Sequence, residues 1–202
     1  MCPRRPSCAA AAEGARQLHR SGFAAGRCPA TGVKIVVTVA LDLTLRKIHA
    51  GAIPAALERA RVYRLLNEPA QAESICLDIL AVEPRHQEAL TTLIMALTDQ
   101  FPTRAGLVER AKTRVAELAG EYERLYYLGL VHEREARAHL TKGPSAGFAH
   151  DLFLEAIVCY ERAEALRPPN NDDPILRRNG CLRTMAAEGL EPMAETEEQL
   201  LE

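Results

Sequence analysis

The sequence contains no run of about 20 apolar residues, the length a helix needs to cross a bilayer, so a membrane span is not expected. None of its six cysteines, Cys2, Cys8, Cys28, Cys76, Cys159 and Cys181, stands at C-x-x-C spacing from another. That removes the zinc knuckle and the redox turn. The phosphate-cradling G-x-x-x-x-G-K-[ST] and the dinucleotide-binding G-x-G-x-x-G are missing, so no cofactor is expected. Nor is there an excess of either charge. The 25 basic and 27 acidic residues leave a net charge of -2, without the concentrated basic face that nucleic acid or an anionic membrane requires.

What is present suits one folded domain: 48% of the 202 residues are hydrophobic, enough for a continuous core. The near-neutral charge hides an asymmetry, with Arg4, Arg5, Arg16, Arg20 and Arg27 near the start opposed only by Glu13. At the other end Glu191, Glu195, Glu197, Glu198 and Glu202 are unopposed, so residues 189–202 read as an acidic, disordered tail. Cys76, Cys159 and Cys181 fall in helical patterns that want small apolar residues, which points to buried thiols and a reducing, cytoplasmic setting.

Residues 1–31 are rich in Ala, Arg, Gly, Cys and Pro and show neither helical nor strand periodicity. Three readings stay open for them: a disordered or upstream-translated extension, a transit-type presequence, or an export signal. Residues 32–52 are a weakly ordered lead-in. Their β-branched stretch, residues 34–41, suits a short strand or an apolar clip against the first hairpin.

From residue 53 the apolar spacing turns helical. A helix is expected from about Pro54 to Leu66, and a second from Pro69 to Pro84, each opened by a proline whose missing N–H costs nothing in a first turn. A third covers 86–100. The fourth is capped by Thr103 and ends at Gly120 in the left-handed conformation. A long fifth (121–142) and a sixth (147–167, capped by Ser145) form an extended hairpin with a projecting tip, and a seventh begins at Pro174 with Leu176, Cys181, Leu182 and Met185 on its apolar side.

Arg59-Ala60, Leu93-Ile94 and Leu128-Gly129 recur at near-constant intervals in alternate helices. Ala72, Cys76 and Glu83-Pro84 in one following helix are echoed by Ala156, Tyr160, Ala163 and Arg167-Pro168 in another. This pattern resembles the tetratricopeptide repeat, in a divergent form of bacterial type, over residues 53–188. The resemblance implies an all-α, right-handed α-α superhelix of about three hairpins plus a C-terminal capping helix. Arg59 stands at a normally apolar place, Ile94 at a normally small one, and no proline closes the second unit.

By the same resemblance the first helix of each hairpin lines a concave groove. The positions carried over are Leu57, Arg61 and Arg64 in the first, Thr91, Met95 and Thr98 in the second, Tyr126, Tyr127, Leu130 and Arg134 in the third, and Asn179 and Arg183 in the cap. Tyr and Arg supply large contact area for little ordering cost, so the expectation is a non-catalytic adaptor that binds a peptide segment or partner helix. Tyr126, Tyr127 and Met95 equally suit packing between helices. The Lys and Asn pattern by which co-chaperone repeats hold a C-terminal carboxylate is absent.

One other class of activity has a sequence basis. His132, Glu135 and His139 share a helical face, with His150 across the turn, so a metal-binding protein or enzyme built on the third hairpin is the alternative. The H-E-x-x-H motif itself fails, because its second histidine would fall at Ala136.

Overall fold

The computed structural model describes residues 43–141 and 146–191. The expectations for residues 1–31, for most of 32–52, for the hairpin tip with its Ser145 cap, and for the tail beyond Glu191 lie outside these residues. The fold below is that of the unit from Thr44 onward.

Among the described residues every regular element is helical. After a 3-10 turn at Ala50–Ala52 come α1 (Ile53–Leu65), α2 (Pro69–Val82), α3 (Gln87–Thr98), α4 (Leu107–Ala116), α5 (Glu121–Thr141), α6 (Ala146–Ala165) and α7 (Asp173–Glu188). Each helix packs on the next, and α3 also touches α1 and α5, so the three first helices lie side by side.

The helix ends follow local chemistry. Proline stands in the first turn of α1, α2 and α7, where no helical N–H is lost. Asn67 turns the chain between α1 and α2 at φ 59, a left-handed conformation that asparagine tolerates. The His86 ring accepts a hydrogen bond from the Ala89 amide at 3.2 Å and caps α3. Gly189 closes α7 at φ 58, with the Leu190 amide returned to the Met185 carbonyl.

The fourth helix departs from expectation at both ends. Thr103 does not cap it: its hydroxyl donates to the Gln100 carbonyl inside an irregular turn, and α4 starts only after Gly106, at φ 75. Nor does it reach Gly120, since it stops at Ala116 and the left-handed glycine is Gly106. The turn is longer because it is anchored from outside. Buried Glu73 of α2 accepts from Gln100 at 3.0 Å, from Arg104 at 3.2 Å and from Arg110 at 2.7 Å, tying the α3–α4 connection to the preceding hairpin.

Two apolar clusters form the core. One joins α1 to α4 with Val131 and Ala138 of α5; the other joins Ala136, Phe153, Ala156, Ile157, Tyr160 and Cys181 across α5, α6 and α7. Gly129 is the close approach of the long hairpin, where an added Cβ would stand 2.9 Å from the Tyr160 ring and 3.2 Å from the Ala156 carbonyl oxygen. Tyr160 fills that contact and donates its hydroxyl at 2.8 Å to Glu133, whose carboxylate is further held by Arg137 and Arg177. Of the four apolar residues assigned to the seventh helix only Cys181 is buried, while Leu176 and Leu182 are exposed.

Candidate interaction face

Helical periodicity places one stripe of each first helix on a shared surface. In α1 the stripe runs through Glu58, Arg61 and Arg64, in α3 through Glu88, Thr91 and Met95 to Asp99 at its C-cap, and in α5 through Tyr127 and Arg134. Ion pairs lace the three together. Arg61 lies 3.7 Å from Glu58 and also reaches Glu88 on α3. Arg64 directs two nitrogens, at 2.9 and 2.8 Å, onto one oxygen of Asp99. From α5, Arg134 approaches the other oxygen at 3.4 Å.

Tyrosines occupy the α5 end of this surface. Burial raises the pKa of the Tyr127 phenol, with the Thr91 side chain pulling the other way. Thr91 in turn donates to the Glu88 carbonyl at 3.0 Å. Tyr126 meets Tyr127 edge-on with centroids 5.3 Å apart, stacks at 6.0 Å on Tyr122 and lies 5.9 Å from Tyr160. Against burial, its phenol raises the pKa of Arg177, which brings α7 into the cluster. Tyr126 and Tyr127 are both partly buried, each against a different core cluster, so packing and presentation are combined in the same rings.

The residues carried over for a groove therefore divide. Arg61, Arg64, Thr91, Met95, Tyr126, Tyr127 and Arg134 remain exposed or half-buried. Leu57, Thr98 and Leu130 are buried at 5%, 1% and 0% exposure and support the surface from beneath rather than forming it. Asn179 is half-buried and Arg183 exposed, but Arg177 is the α7 side chain that joins the tyrosines. Asp99, Glu88, Tyr122 and Arg177 were not anticipated. Asp99 left one trace, its place midway between Arg64 and Arg134, 35 residues from each.

The metal alternative is not assembled. His132 Nδ1 stands 2.8 Å from Glu155, Glu135 faces Lys112 at 4.0 Å, and His139 stacks on Phe148, so the three side chains serve different neighbours. Burial lowers the His132 pKa against the opposing pull of Glu155, and raises that of Glu135. Among the described residues no three His, Cys, Asp or Glu side chains are placed to hold a metal ion. Gly143-Pro144-Ser145-Ala146-Gly147 does have G-x-S-x-G spacing. Its Gly143, Pro144 and Ser145 lie outside the described residues.

A separate cleft of about 690 Å³ opens where α2 and α4 end, lined by Leu77, Leu80, Pro84, Arg85 and Arg114 among others. Gln87 forms one side of it, donating to the Arg85 carbonyl and accepting from the Ala119 amide, both at 2.9 Å. No described helix is long and apolar enough to cross a membrane. Set against protein-family models, curated proteins and solved structures, the chain matches none.

Proposed function

We propose that this protein is a non-catalytic interaction adaptor of tetratricopeptide type, acting in the cytoplasm. Its three hairpins are read as a right-handed superhelix with α7 as cap, whose concave side is the α1, α3 and α5 face. A peptide segment or partner helix lies across that face, with Met95, Tyr126 and Tyr127 as apolar anchors and Arg61, Arg64 and Arg134 meeting its polar groups.

The observation that carries this reading is the ladder Arg64, Asp99 and Arg134. It fixes side chains from α1, the end of α3 and α5 in one surface, so their ordering cost is met before any partner arrives. Large aromatics beside held guanidinium groups have the composition of interface centres.

Co-purification from the native host with Tyr126→Ala and Arg61→Glu variants tests it. Loss of the same partner in both, with the native helical content retained, is expected. Retention of every partner by folded variants would discard the face as the binding site.

A further inference from the structure

The ladder of Arg64, Asp99 and Arg134 is short of negative charge. Asp99 is the acid that pairs with both arginines, and no other does so among the described residues, so two guanidinium groups share one carboxylate and the group carries a net charge of +1. Arg134 is the less satisfied of the two. Its side chain is about two-thirds buried, yet among the described residues its one polar contact is the 3.4 Å bond to Asp99, although a guanidinium offers several N–H donors. A half-buried cation with unused donors gains more from an arriving oxyanion than a fully solvated one does. Arg61 offers no such place, since Glu58 and Glu88 both face it already.

We infer that Arg64 and Arg134 form a binding site for one further carboxylate, carried by an extended peptide segment. The inference rests on the α1, α3 and α5 face being the one that binds, and adds the chemistry it recognises. Met95 is half-buried on that face and stands one helical turn before Asp99, about 6 Å along the axis. Two residues of extended chain cover a similar length, about 6.6 Å, and direct their side chains to the same side. The segment therefore carries Asp or Glu two residues from an apolar side chain, with the acid between the arginines and the apolar group on Met95. A partner protein is one source of such a pair. The acidic end of this chain is another, since Met193 and Glu195 have that spacing. The carboxylate chemistry is shared, and the experiment separates the two sources.

The probe is the synthetic peptide acetyl-Leu-Ala-Asp-Ala-amide, whose one charge is the Asp carboxylate, titrated at fixed ionic strength and followed by the arginine Nε–H resonances. It is added to the full chain and to the chain lacking residues 192–202. Saturable shifts of Arg64 and Arg134 are expected. Affinity falls about tenfold when Asn replaces Asp in the peptide, and as much with Arg134→Gln, the loss of a charge-assisted hydrogen bond. Arg85→Gln, at an exposed arginine outside this face, leaves it unchanged. Asp99→Asn removes the competing carboxylate and tightens binding about threefold or more, an effect that a merely structural role of the ladder would not produce. Tighter binding to the shortened chain assigns the native carboxylate to the chain's own end, and equal binding to both assigns it to a partner. The inference is overturned by the absence of saturable binding to either chain up to about 10 mM. Equal affinity for the Asn peptide, or an Asp99→Asn variant that binds no more tightly, overturns it too. If Tyr126→Ala still loses the co-purified partner while the peptide fails to bind, the carboxylate site falls and the adaptor face stands.

Discussion

Arg64 and Asp99, 35 residues apart, meet through two guanidinium nitrogens on a single carboxylate oxygen. Both side chains are about four-fifths buried, so the pair is shielded more than an ordinary surface ion pair and less than a core one. Arg134 shares the same carboxylate from the far side.

A double-mutant cycle on Arg64→Ala and Asp99→Ala is expected to give a coupling near the upper end of the surface range, about 1 kcal/mol. Asp99→Ala alone should cost more than Arg64→Ala, since it leaves two guanidinium groups facing each other. Urea unfolding of the four proteins measures both, and additive effects would mean that the contact contributes nothing in solution.

Gly129 and Gly180 should respond oppositely to a side chain. Gly129→Leu forces a branched group into the Tyr160 ring and the α6 backbone, with an expected loss of about 1 to 3 kcal/mol and a lower thermal midpoint. Gly180→Ala meets no atom within 4 Å among the described residues and should stabilise α7 by up to about 1 kcal/mol through helix propensity. A thermal melt of each variant decides the matter.

Glu73 makes stability depend on pH. Burial pushes its pKa up, but hydrogen bonds from Gln100 and Arg110 and the charges of Arg110 and Arg104 outweigh that and hold it below the usual carboxylate value. With the folded pKa depressed, the contribution is complete above the unfolded pKa and is lost as pH falls through the folded one. The difference in stability between the native chain and Glu73→Gln should therefore be about 2 kcal/mol at neutral pH and shrink in acid. A difference constant from pH 7 to pH 3 would show that the carboxylate is not what anchors the α3–α4 turn.

Two thiols should be chemically silent in the native fold. Burial raises Cys76 and Cys181 to about 12 each, which removes the thiolate that alkylating agents attack. Peptide mapping after iodoacetamide treatment should find both unmodified in native protein and both modified in denaturant.

Much of the helical layout was legible because it depends on neighbours in sequence. Apolar spacing and the prolines Pro54, Pro69 and Pro174 marked where α1, α2 and α7 begin, since first-turn chemistry acts over a few residues. The fourth helix was misjudged at both ends. Its start is set by Glu73, 27 residues before Gln100 and on another helix, and no local signal reports such a partner.

The candidate surface divides in the same way. The tetratricopeptide resemblance implied one surface for Arg61, Arg64, Met95, Tyr127 and Arg134 together with Leu57, Thr98 and Leu130, and could not tell that the last three are buried. Burial depends on what lies above a residue. Leu125 in α5 is buried at 7% exposure and Leu176 in α7 is 64% exposed, although both are leucines at helical spacing from other apolar residues. The sequence determined helices, ends and stripes, which follow from backbone geometry and local hydrogen bonding. Only the tertiary structure decided that Asp99 joins Arg64 to Arg134 and that His132, Glu135 and His139 turn to separate partners, because those contacts require distant segments to be fixed in space.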